Sequence, residues 1–190
     1  MEMSGLIEKA SRSTAEVIRG VKPAHFSRPT PCSELDVKAL ANHMAAFYGM
    51  AALAGARQPM PAGGPPADMV GESPASTMAP MLQQAVAAWQ KPSAYEGMAQ
   101  FGPLELPAQF AGSVVLFEIA VHGWDLAKGS GQQIKFDDDV VRGLEQVSQM
   151  IVTDDARNRG TFAAAVNVDG SAPLLDRVLA HTGRDPHWRG

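Results

Sequence analysis

Hydrophobic positions recur at helical spacing in separate blocks along the chain. Leu6, Ile7, Ala10, Thr14, Val17 and Ile18 form one stripe, which predicts a helix over 3–19 that Gly20 ends. Val37, Leu40, Ala41, Met44, Phe47, Tyr48 and Ala51 form a second, over 37–54. Asp36 precedes it, and its carboxylate can accept the free amide hydrogens of the first turn. Met81, Leu82, Ala85, Val86 and Trp89 make a third helix that ends near Trp89 and Gln90. Pro80 suits a first turn and sets the start near Thr77, while Ser73-Pro74 offers an earlier one. A fourth runs over 107–128, with Lys128 in its last turn and Gly129 as its stop. The fifth spans 138–153, turning Val140, Val141, Leu144, Val147 and Ile151 inward. Asp137 can cap it and Phe136 can staple onto Val141. Leu174 to His181 is a short last helix.

The connections are distinctive. Three prolines between Lys22 and Cys32 predict an extended, ordered segment without helix. Gly55 to Thr77 is rich in proline, glycine and alanine and too long for an ordinary helix–helix link. It reads as a strap across the bundle, or as a lid. Met98 to Leu106, broken by Gly102-Pro103, reads as irregular, with room for a short hairpin. Ala164 to Val168 reads as a short extended piece. The prediction is an all-α protein, a single domain over 1–190, with a long Pro/Gly-rich crossover and a short C-terminal helix.

Composition narrows the function classes. The net charge is −4 with no basic cluster, which argues against nucleic acid or an anionic membrane as the main partner. The single cysteine, Cys32, excludes an internal disulfide and a Cys-rich zinc site. The start of the chain has neither a basic segment nor an apolar run, so no signal peptide is expected. No stretch reads as a membrane span. A cytoplasmic protein is expected, and its Met- and Ala-rich helical faces leave room for a homodimer.

Candidate chemistry gathers on the fourth helix. At 100° per residue, His122 lies about 40° from Glu118, and Asp125 about 20° from it on the other side. Acids and imidazoles among aliphatics are costly to bury unless something pairs with them, and a divalent metal is such a partner. Glu118 and His122 then form a two-ligand clamp, with His43 on the second helix as the best third ligand. That donor set suits zinc, and also nickel, iron or manganese. Three protein ligands leave a position open for water or substrate. Asp125 is a fourth ligand or a partner that orients His122. The plain alternative is a solvated acid–imidazole pair. Of the other candidates, His25 reads as a loop residue, His181 as a helix cap and Cys32 as a small buried side chain. Trp124 reads as packing, and Arg184 and Asp185 as paired with each other, the alternative being that they close over the site.

Three segments together resemble a known family. Pro29-Thr30-Pro31-Cys32-Ser33-Glu34-Leu35-Asp36 through to Asn42-His43 resembles the second-helix signature of the DinB-like superfamily. The match is to its actinobacterial metal-binding branch, related to the N-terminal domain of mycothiol-dependent maleylpyruvate isomerase. Glu118-Ile119-Ala120-Val121-His122-Gly123-Trp124-Asp125 resembles the second signature. Ala172 to Ala180, followed by Gly183-Arg184-Asp185-Pro186-His187-Trp188, looks like the C-terminus of that branch. The resemblance implies a DinB-like four-helix bundle and a divalent metal, usually zinc, held by the residues that match here: His43, Glu118 and His122. Many relatives carry tryptophan where this chain has Leu35. The isomerase's extra C-terminal domain is expected to be absent, so maleylpyruvate isomerisation is not carried over.

Two functions follow as expectations. One is an enzyme of the thiol-dependent transferase or isomerase type. It would activate mycothiol or another small thiol at the open metal position for attack on a small electrophile, with Asp125 orienting or exchanging a proton. The other is a non-catalytic, metal-stabilised binding module.

Overall fold

The computed structural model describes residues 2–190. Its element order is α1 (Met3–Gly20), α2 (Val37–Gly55), α3 (Pro74–Trp89), β1 (Met98–Phe101), β2 (Leu104–Pro107), α4 (Ala108–Ser130), α5 (Asp138–Ile151), α6 (Asp154–Asn158) and α7 (Leu174–His181). The protein is thus mostly helical, with one antiparallel hairpin. α1 packs on α3 and α4, and α2 packs on the same two helices from the other side. α5 lies against α1, α4 and α7. One hydrophobic cluster runs through these elements, from Leu6 to Val178.

Local chemistry explains the helix starts. The Asp36 carboxylate accepts from the Ala39 amide at 2.8 Å and opens α2 as expected. The Trp89 indole donates to the Ala51 carbonyl at 2.9 Å and locks α3 onto α2. α3 begins at Pro74, the earlier of the two possible starts, so Pro80 lies inside the helix. Asp137 does occupy the N-cap position of α5, but its side chain caps nothing. Lys9 draws both Asp137 and Asp139 toward α1 instead.

Two glycines read as helix stops lie within helices. Gly20 is the last residue of α1, and the Gln132 side chain lies against it where a Cβ would stand. Gly129 is inside α4, where a Cβ would come within 2.8 Å of Thr30 and Val37. Both are small because a neighbour comes close. The real stop of α4 is Gly131, in the left-handed region at φ 73°. α5 ends at Ile151, and Thr153 caps the unforeseen α6 by accepting from Ala156.

Some connections differ from expectation and others follow it. Pro23–His25 forms one 3-10 turn, which tolerates proline at its first position. Residues 164–168 form no strand; Val166 bonds to the Ala180 carbonyl instead. Gly102-Pro103 turns a true hairpin, with Met98 opposite Pro107. The strap between α2 and α3 is fastened at both ends. Arg57 donates to the carbonyls of Ser93, Ala94, Glu96 and Met98. The Asn42 side-chain oxygen accepts from the Met69 and Val70 amides at 2.6 and 3.2 Å, and Lys38 pairs with Asp68 at 2.7 Å.

α4 corrects the reading that no stretch could span a membrane. By length and apolar composition Ala108–Ser130 could cross one, and it is the one such helix among the described residues. Within the fold, 78% of its most apolar stretch is buried. α4 is apolar on nearly all sides because other helices surround it, which is the pattern of a core helix.

Candidate metal centre

The ends of three side chains converge where α2 crosses α4. The Glu118 carboxylate oxygen Oε2 lies 3.4 Å from His122 Nε2 and 3.5 Å from His43 Nε2. The two imidazoles meet edge to face, with centroids 4.9 Å apart. Glu118 and His122 reach one another because four residues make one turn of α4. His43 enters from the second turn of α2, whose register Asp36 sets at its cap. The His43 side chain keeps 45% of its exposure and His122 only 11%, so the cluster opens on the His43 side.

These separations can be set beside two arrangements. A charge-assisted N–H···O bond would be about 2.7–2.9 Å long. Zinc–nitrogen and zinc–oxygen bonds of about 2.0–2.1 Å at tetrahedral angles hold ligand atoms about 3.3–3.4 Å apart. The observed 3.4 and 3.5 Å match the second spacing. Two imidazole nitrogens and a carboxylate oxygen also form a donor set that zinc accepts.

His122 is held from behind. Its Nδ1 lies 2.9 Å from Asp125 Oδ2, and a carboxylate can only accept, so Nδ1 carries the hydrogen and donates. In the neutral imidazole the lone pair then sits on Nε2, which faces Glu118 and His43. Asp125 is fully buried. Arg184, not Asp185, is its partner. The guanidinium donates to Oδ1 at 2.8 Å through Nε and to Oδ2 at 2.7 Å through Nη2. This overturns the expected Arg184–Asp185 pair: Asp185 accepts from the His187 amide instead.

The turn after α7 aims Arg184. The Gly183 amide bonds to the Ala180 carbonyl and the Arg184 amide to the Leu179 carbonyl, each at 3.0 Å. That is a Schellman stop, and its pivot needs a left-handed residue. Gly183 supplies φ 87°, and a Cβ there would lie 2.8 Å from that of Ala163.

The charges settle accordingly. Burial alone would push the Glu118 carboxyl up, but His122, His43 and Arg184 outweigh it and hold it below its ordinary value. Burial opposes charge on His122 as well, yet Glu118 and Asp125 raise it. Burial would raise Asp125, but Arg184 first and then His122 keep it low.

Cys32 also lies near. Its sulfur falls within 4.8 Å of ligand atoms of His122 and Asp125. In that grouping Asp125 already engages His122 Nδ1 and Arg184. Burial, with Asp125 next, pushes the thiol up and away from the ligating thiolate. His25 stays in its loop, where its Nδ1 accepts from the Lys22 amide. Trp124 packs, with Lys128 above its ring. His181 is no cap; its Nε2 is buried without a partner among the described residues. The Tyr48 hydroxyl is likewise buried and unpartnered; burial and then the Glu118 charge push it above its ordinary value.

Residues 7–127, well over half of the chain, match the family described as the mycothiol maleylpyruvate isomerase N-terminal domain. The chain belongs to this family. Its domain is of the DinB-like superfamily, as the motifs of the second and fourth helices indicated. Membership links the chain to the mycothiol-dependent isomerases and to metal binding. The match takes in His43, Glu118, His122 and Asp125, whereas Arg184 lies beyond it. No curated protein and no solved structure matches the chain.

Proposed function

We propose that this protein is a thiol-dependent transferase or isomerase, working at a divalent metal, zinc by its donor set, that His43, Glu118 and His122 hold. The four long helices are read as the DinB bundle, with 1–190 as one unit. The observation that carries the reading is the pair of 3.4 and 3.5 Å contacts, with His122 Nδ1 tied off by a buried carboxylate.

A cation bound there supplies a Lewis acid that lowers the pKa of a thiol sharing the site, so that thiolate prevails near neutral pH. The chain's own residues do the positioning. Asp125 keeps the His122 proton on Nδ1 and the lone pair on Nε2. Arg184 holds Asp125 charged and in place. The depressed Glu118 carboxyl stays ionised at neutral pH. Since Asp125 is fully buried and bonded to Arg184 and His122, we assign it a positioning role. The cosubstrates proposed are a low-molecular-weight thiol, mycothiol by family, and a small electrophile. In a transfer the thiol sulfur bonds to the electrophilic carbon, the leaving group departs with its electron pair, and the thiol proton goes to solvent.

The test joins zinc analysis to conjugation of a model electrophile with mycothiol. The wild type should hold about one zinc and show thiol-dependent turnover, and His43→Ala, Glu118→Ala and His122→Ala should lose both. Turnover that survives His122→Ala and chelation overturns the reading. Stoichiometric zinc without turnover leaves the binding module.

A further inference from the structure

Beside the His43 face of the cluster lies a cavity of about 880 Å³, within the range of small-molecule pockets. His43, Ala46, Phe47, Met50 and Leu53 share one face of α2 and line it. The strap covers it with Met60 to Pro66 and Met69, and the hairpin turn at Gly102-Pro103 closes one side. The cover is fastened, since Arg57 holds one end of the strap, and Asn42 and Lys38 the other.

The chemistry of this wall is selective. No Asp, Glu, Lys or Arg is among its lining residues, and the polar side chains are His43 and Gln84. A carboxylate seated along this wall, away from the metal cluster, would shed water with no side-chain cation to replace it. An uncharged apolar molecule would gain by covering Phe47, Leu53 and the methionines. Three methionines, Met50, Met60 and Met69, make the surface adaptable in shape.

We infer that this cavity seats the second substrate of the proposed reaction, and that this substrate is an uncharged, largely apolar electrophile rather than a keto-dicarboxylate of the maleylpyruvate kind. The inference deepens the thiol-dependent reading and rests on it. His43 is the joint: it belongs to the metal cluster and lines the cavity. A molecule in the cavity therefore meets the reactive thiol at one end, and leaves its apolar part along α2.

The test uses N-phenyl-1-naphthylamine, an uncharged fluorescent probe, on metal-free protein at pH 8, so that decanoate has no metal to ligate. The probe should bind with a blue shift, and decanol should displace it at a concentration at least about 100-fold lower than decanoate, as expected when a buried charge lacks a partner. Ala46→Trp fills the floor beside His43 and should weaken probe binding at least tenfold while zinc content after loading stays at wild type. Leu53→Arg, at the far end of the stripe, should narrow the decanol preference by supplying the missing cation. Decanoate equal to decanol in the wild type overturns the inference, as does Ala46→Trp binding the probe normally. Loss of probe binding as the protein concentration rises also overturns it, because a second copy would then own the face. Probe binding needs no turnover, so failure of the conjugation assay with the decanol preference intact condemns the enzyme reading and not the cavity.

Discussion

Replacing Arg184 with methionine keeps most of the side-chain volume and removes the charge. It would strand Asp125, a fully buried carboxylate, with His122 as its remaining partner. Two unit charges about 4 Å apart at an effective dielectric near 20 interact by about 4 kcal/mol. Removing one member of a buried pair costs about 3–5 kcal/mol, in agreement. For a chain of this size each kcal/mol moves the melting temperature by about 2–4 °C, so a drop of about 6–20 °C is expected. Urea unfolding of the metal-free protein measures the stability. A second effect is separate: His122 loses the fixed carboxylate that sets its tautomer, and zinc affinity should fall about 10–100-fold in chelator competition. Adding Asp125→Asn to Arg184→Met removes the stranded charge and should restore at least about 1 kcal/mol of stability but not zinc affinity. An Arg184→Met protein within about 0.5 kcal/mol of wild type, and within twofold in zinc affinity, would refute the pinning role.

Further outcomes are open to direct measurement. Gly183→Ala should lower stability by about 1–3 kcal/mol, since Ala must adopt φ 87° and meet Ala163; Gly170→Ala, with open space around it, should stay within about 0.5 kcal/mol by urea unfolding. Tyr48→Phe removes a buried hydroxyl that bonds to nothing among the described residues, so stability should be unchanged or rise by up to about 1 kcal/mol; a loss greater than that would reveal a partner for the hydroxyl. The Lys9 ammonium bonded to Asp139 holds that carboxyl below its ordinary value. Its contribution is therefore present above the ordinary carboxylate range of about pH 4 and is lost as pH falls through the lower folded value. Urea midpoints across that range should fall less steeply for Asp139→Asn than for the wild type.

The helices were legible because their signals are local. The stripe from Val37 to Ala51 and the cap at Asp36 sit within one stretch of chain, and the structure follows them closely. The convergence of Glu118 and His122 was legible for the same reason, since one turn of helix brings them together. His43 could be nominated because its helix and its flank were readable. Ends marked by glycine were less legible. Gly129 and Gly131 are the same residue type, and only the approach of Thr30 tells which one packs and which one turns. α6 was missed although Thr153-Asp154-Asp155 carries an N-cap and two first-turn acids; five residues are too few for a periodic stripe. The Arg184–Asp125 pair joins residues 59 apart. Its one sequence signal was a buried acid on α4 together with a glycine–arginine step after a short helix, and Asp185 offered a nearer partner.

That separation has a consequence in time. The chain is synthesised from His43 through Glu118 to His122 before Arg184 is added. At about 5–20 residues per second, the 59 residues from Asp125 to Arg184 take about 3–12 s. During that interval a nascent chain carries the whole candidate ligand set without the residue that steadies His122. On the proposed reading, a metal ion captured early would be held loosely and could be exchanged, and the grip would tighten only when the turn at Gly183 has formed.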